Sequence, residues 1–206
     1  MRDTDARVVV DSNAPPWNAV LKIQTNVGTR CTGALIGPAT VLTAAHCLYN
    51  RRTRAMLQPV SLHVLIGYQR GAFRWHRLVS RYTAGPGYDG AGKPPQTADW
   101  ARLELAEPVP AEAAPLPLAT TAPAPGLPVA IAGYNQDRAQ LLMADRECHI
   151  GIVTRRPEGT LLLHDCSATR GTSGGPLLTR ENGGWAVVGI NIAAGELANV
   201  ALAVPK

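Results

Sequence analysis

Gly171-Thr172-Ser173-Gly174-Gly175-Pro176 is the string in this sequence best suited to covalent chemistry. Glycines on both sides of one serine let the backbone approach a ligand closely and adopt conformations closed to other residues. A serine hydroxyl placed there can face a cleft while nearby backbone N–H groups converge on an oxyanion. A glycine-rich turn between strands would carry the same letters, so the string gains meaning only from partners. It also satisfies G-x-S-x-G, the pattern of a serine on a strand-to-helix elbow, but that arrangement needs its histidine after the serine. The five histidines, His46, His63, His76, His149 and His164, all precede Ser173.

A serine nucleophile needs a base. His46 sits in Thr43-Ala44-Ala45-His46-Cys47, directly after an apolar stretch and beside a cysteine. A disulfide at Cys47 would hold such a ring in one orientation. His63, in the alternating run 62–66, and His76, between Trp75 and Arg77, fit partly buried structural roles. The third partner is a carboxylate that accepts the imidazole N–H and stabilises the imidazolium. Asp99, in Thr97-Ala98-Asp99-Trp100-Ala101, lies at the mouth of a strand between small and aromatic residues that can shield it. Asp89, in Gly87-Tyr88-Asp89-Gly90, has the neighbours of a turn residue. Asp137, Asp145 and Asp165 lie in the other half of the chain from His46.

The elements that must position these residues are short strands. Of 206 residues, 46% are hydrophobic and 17% charged, a globular balance, and Gly 20 with Pro 17 suits tight turns. Period-two alternation predicts strands over 20–24, 31–36, 40–43, 62–66, 75–79 and 100–105, with one short helical turn at 44–48. Pro108, Pro110, Pro115, Pro117, Pro123, Pro125 and Pro128 then interrupt any central strand or helix. Strands resume over 129–132, 140–143, 148–153, 161–164, 176–178, 185–192 and 200–204. Two such sets predict an all-β chain of two packed antiparallel barrels or sandwiches. The expected units are 14–110, a Pro/Ala-rich connector over 111–127, and 128–206.

Four cysteines, Cys31, Cys47, Cys148 and Cys166, form one local pair in each half. An even number so spaced favours two disulfides and an oxidising compartment. A zinc site from Cys148, His149, His164 and Cys166 competes, without C-x-x-C or H-x-x-x-H spacing to support it. The formal charge is +5, with Arg51, Arg52 and Arg54 the densest basic cluster. That cluster lacks the aromatic interleaving of a nucleic-acid surface and reads as a solvated loop. No apolar run reaches the length of a membrane span. Met1-Arg2-Asp3-Thr4-Asp5 has no apolar leader core, which leaves an intracellular protein or a mature form; the cysteines favour the mature form of a secreted or periplasmic protein.

Three blocks, Thr43-Ala44-Ala45-His46-Cys47, Ala98-Asp99-Trp100-Ala101 and Gly171-Thr172-Ser173-Gly174-Gly175-Pro176, resemble the signature blocks of chymotrypsin/trypsin-like serine peptidases, in that family's order. Cys31-Thr32-Gly33-Ala34-Leu35-Ile36 is similar to the family's strand before the histidine. The resemblance implies two six-stranded barrels with the active site in the cleft between them, and a disulfide between Cys31 and Cys47. It implies His46, Asp99 and Ser173 as catalytic triad, the N–H groups of Gly171 and Ser173 as oxyanion hole, and a second disulfide between Cys148 and Cys166. Protein or peptide would be the substrate of a monomer that needs no metal or cofactor. The rival reading is a catalytically silent binding module on the same fold.

Thr172 stands where animal digestive members carry an aspartate that pairs with a newly released N-terminus, and no Ile-Val-Gly-Gly start is present. The chain looks more like bacterial secreted members, including those related to glutamyl endopeptidases. The resemblance places Ser167 on the floor of the primary substrate pocket, where trypsin-like preference would need an acid. Asn191, Ile192, Ala193 and Ala194 are expected on its wall and Asn199 at its base. Asn191 stands in place of the histidine of glutamyl endopeptidases. An uncharged pocket with small walls suits neutral side chains.

Overall fold

Alternating residues in the first half roll into a closed barrel because one side of each strand needs an apolar interior. The computed structural model describes residues 5–90, 94–195 and 198–204. The expectation of a leaderless start at residues 1–4 lies outside them, as do the few expected unit residues at 91–93, 196–197 and 205–206. The first barrel consists of β1 (Val20–Thr25), β2 (Arg30–Gly37), β3 (Thr40–Thr43), β4 (Leu62–Ile66), β5 (Trp75–Ala84) and β6 (Ala101–Leu105). Its strands pair antiparallel in the order β1-β2-β3-β6-β5-β4, and β4 returns to β1. Along β6, Ala101, Leu103 and Leu105 are buried while Arg102 is exposed, the half-buried pattern its sequence predicts.

The second barrel repeats that order with β7 (Pro128–Gly133), β8 (Met143–Arg156), β9 (Gly159–His164), β10 (Pro176–Glu181), β11 (Gly184–Ala193) and β12 (Asn199–Ala203). The ring runs β7-β8-β9-β12-β11-β10 and closes on β7. One difference from expectation lies in β8. Residues 140–142 are turn, and Met143 opens a single long strand that absorbs the predicted 148–153 segment. The solvent-facing pair Arg146 and Glu147 interrupts its apolar alternation, which hides its continuity. Register shifts against both β7 and β9 bend it so that its first part serves one neighbour and its last part the other. A small ribbon of Tyr49–Asn50 and Ala55–Met56, also unanticipated, follows the His46 turn.

The proline-rich segment is held to both barrels. Leu116 donates its N–H to Leu35 O (2.9 Å) in the first barrel, and Ala119 donates to Val187 O (2.9 Å) in the second. At the other end, Val8–Val9 pairs with Ala144 and Met143 at the edge of the second barrel, before the chain enters the first. The Arg7 guanidinium anchors that strap, with its Nη atoms 2.9 and 2.7 Å from the Asp137 carboxylate and a further pairing to Asp5. Lys22 is buried where the barrels meet, donating to Ala139 O (2.7 Å) over the Tyr68 ring. Burial pushes its ammonium down to about 8.

Candidate active site

β3 ends at Thr43, and a 3-10 turn over Ala45–Leu48 presents His46. Ala45, Cys47 and Leu48 are buried in that turn, so His46 alone is left to face outward. Cys47 is joined to Cys31 on β2, which ties the turn to the barrel wall. Asp99 caps a second 3-10 turn, Gln96–Ala98, just before β6. It holds His46 at two points: Oδ1 accepts the His46 backbone N–H at 2.8 Å, and Oδ2 lies 2.8 Å from Nδ1. A carboxylate can only accept, so this contact places the ring proton on Nδ1 and leaves the Nε2 lone pair free as a base. The Asp99 side chain is 14% exposed and that of His46 31%, an oriented acid behind an accessible ring.

Ser173 comes from the loop between β9 and β10 and lines one cavity with His46. Glycine is required on both sides of it. Gly171 has φ +93°, and a Cβ there would fall 2.3 Å from Tyr134 O. Gly174 has φ +80°, and its Cβ would meet Thr43 Oγ1 and Thr32 O at 2.1 and 2.2 Å. That close approach seats the loop on the first barrel. Thr32 of β2 donates its N–H to Ser173 O (2.8 Å) and its hydroxyl to Gly171 O (2.8 Å), while Tyr134 N–H donates to the same hydroxyl (3.0 Å). The loop so held leaves the N–H groups of Gly171 and Ser173, one on either side of Thr172, without a protein acceptor among the described residues.

Thr172 is buried and turned away from this site. Its hydroxyl donates to Asn135 Oδ1 (2.8 Å), which also accepts the N–H and hydroxyl of Thr169 (3.1 Å each). Asn135 in turn donates from Nδ2 to Gly133 O (3.0 Å). Thr169 also reaches the Asp137 carboxylate (3.1 Å) and the Arg7 guanidinium (3.4 Å), so the support beneath Thr172 continues into the ion pair that anchors the strap. Nothing in the sequence pairs Asn135 with Thr172, which are 37 positions apart.

The residues expected in the substrate pocket lie on the loop after β9, on or just after β11 and at the start of β12. Ser167 accepts the Ala6 N–H (3.2 Å) and donates its own N–H to Asp145 Oδ2 (2.8 Å). Asn199 is buried, donating to Cys166 O (2.6 Å) and accepting from Gly195 N–H (3.2 Å). Asn191 and Ile192 are buried on β11, with Ala193 partly buried and Ala194 exposed after them. Asn191 main-chain atoms bond Gly174 N–H (2.7 Å) and Gly175 O (2.8 Å), joining this wall to the serine loop. His164 was not singled out for this wall, yet it is buried with Nε2 3.1 Å from Asn191 Oδ1. Burial pushes it down to about 4, so it is a neutral ring that donates to Asn191. Cys148 is bonded to Cys166, which removes the thiolates that the competing zinc reading required. The other described cluster of metal-ligand types, Cys31 with His46 and Cys47, likewise has its sulfurs in a disulfide.

The trypsin family model matches residues 7–201, and the chain belongs to that family, with two closed six-stranded antiparallel barrels. A glutamyl endopeptidase of Bacillus licheniformis is 29% identical over 106 residues, which is 51% of this chain and 32% of that protein. The match thus spans about a third of the relative's length. A solved structure of a Glu endopeptidase in complex with MPD superposes with TM-score 0.79 at 21% identity, covering 98% of this chain and 92% of that one. That likeness is one of fold. No helix among the described residues is long and apolar enough to cross a membrane.

Proposed function

We propose that this chain is a secreted serine endopeptidase. The observation that carries the reading is the two-point grip of Asp99 on His46 in a cavity shared with Ser173. Ser173 Oγ attacks the scissile carbonyl while His46 Nε2 takes its proton, and Asp99 stabilises the imidazolium. The tetrahedral oxyanion is met by the N–H groups of Gly171 and Ser173, each such donor worth about 3 kcal/mol of barrier. His46 then returns the proton to the leaving amine, the C–N bond breaks, and an acyl-enzyme on Ser173 remains for water to hydrolyse. Ser167, Asn191, Ile192, Ala193, Ala194 and Asn199 supply an uncharged recess for a neutral side chain on the acyl side. The two disulfides favour an oxidising compartment outside the cytoplasm.

Labelling with a serine-directed fluorophosphonate tests the reading. The expected result is label on the unaltered chain and none on Ser173→Ala or His46→Ala. A folded, disulfide-bonded chain that takes no label is instead either latent or a binding module on this fold.

A further inference from the structure

The cavity that holds His46 and Ser173 has a volume of about 480 Å³, and its rim is basic. Arg30, Arg51, Arg52 and Arg170 all line it, and no aspartate or glutamate does. They come from three places: Arg30 opens β2, Arg51 and Arg52 follow the His46 turn, and Arg170 precedes the oxyanion glycine. All four are exposed, and among the described residues none is paired with a carboxylate. The sequence suggests a solvated basic turn at 51–54. Folding instead brings two of those arginines together with two distant ones around a single recess, while Arg54 stays outside it.

The side of the cavity matters. None of Ser167, Asn191, Ile192, Ala193, Ala194 or Asn199, the expected acyl-side pocket, lines it. It opens instead toward Cys31 and the Val27–Arg30 turn, so a peptide whose acyl-side residue occupies that pocket runs its leaving-group side through the arginines. Like charges held in one cleft raise the local concentration of the opposite charge and speed its encounter. Guanidinium groups also accept carboxylates in paired, planar hydrogen bonds.

We infer that the four arginines form a specificity site for acidic residues immediately after the cleaved bond. The inference rests on the peptidase reading. Two internally quenched peptides test it, with one common acyl-side sequence ending in a neutral residue and either Asp-Asp or Lys-Lys after the cleaved bond. At an ionic strength of about 0.01 M the expected kcat/KM is about tenfold higher for Asp-Asp, with the ratio shrinking at about 0.15 M as screening shortens. The ratio falls to near one in the chain carrying Arg30→Gln, Arg51→Gln, Arg52→Gln and Arg170→Gln. A ratio near one in the unaltered chain, or one unmoved by the four substitutions, overturns the inference. If the unaltered chain neither cleaves nor takes the phosphonate, the peptidase reading falls, and the arginines are judged by fluorescence anisotropy of the same peptides. Tighter binding of the acidic peptide, lost in the substituted chain, then supports the site, and equal affinities overturn it.

Discussion

Asp99 does two things to His46 at once that an amide, with a single acceptor oxygen, could not. It accepts the backbone N–H, which fixes the turn, and it accepts the ring proton, which selects the tautomer. Asp99→Asn keeps the shape but offers a donor or a weaker acceptor to Nδ1, so the ring tends toward the tautomer whose Nε2 is already protonated. The expected effect is a fall in kcat of about 10⁴ with little change in KM, measured on one peptide substrate near neutral pH. The residues in this relay were legible in the sequence because each sits in a short block whose neighbours have separate duties. Ser173 is flanked by glycines, His46 by a half-cystine and Asp99 by a strand entrance. Thr32 was not legible. Its grip on Gly171 spans 139 positions, and a threonine in a strand announces no such partner.

The serine loop depends on elements it does not belong to. Its underside is the Thr172–Asn135–Thr169 network, and its outer edge is bonded to Thr32 on β2 and Asn191 on β11. Thr172→Val keeps the volume and removes one buried donor, leaving Asn135 Oδ1 with its two bonds from Thr169. The expected cost is about 1 kcal/mol, seen as a melting temperature lowered by roughly 2–4 °C. Thr172→Asp sets a carboxylate against the Asn135 oxygen, while the nearby Arg7 guanidinium is already engaged by Asp137 and Asp5. That substitution is expected to cost about 3 kcal/mol. At this scale the sequence was informative where burial is one-sided, as in β6, whose alternation marks the strand. It misled at β8, where bulges let one strand change neighbours and the exposed Arg146–Glu147 pair looks like a boundary.

For the whole molecule, the buried imidazole of His164 links stability to pH. Among the described residues its Nδ1 has no hydrogen-bond partner, so protonation would strand a charge in the second barrel. The unfolded ring titrates near the ordinary 6.5 and the folded one near 4. Between those values the unfolded chain binds a proton that the native chain does not, so acidification favours unfolding. The contribution is complete above pH ~6.5 and amounts to roughly 3 kcal/mol lost by the time both forms are protonated. Urea denaturation at pH 7 and pH 4.5 is expected to show that loss in large part, and the pH-dependent drop should be about 2 kcal/mol smaller in His164→Gln.

The seating of Ser173 on Thr32 also sets a timetable for synthesis. Half of the site lies in the first barrel, but the loop carrying the nucleophile is braced by a second barrel whose ring closes only with β12, at Asn199–Ala203. A growing chain therefore displays His46 and Asp99 long before it has a scaffold for Ser173. Whatever Ser173 does stays silent until Asn199–Ala203 has left the ribosome and the second ring has closed.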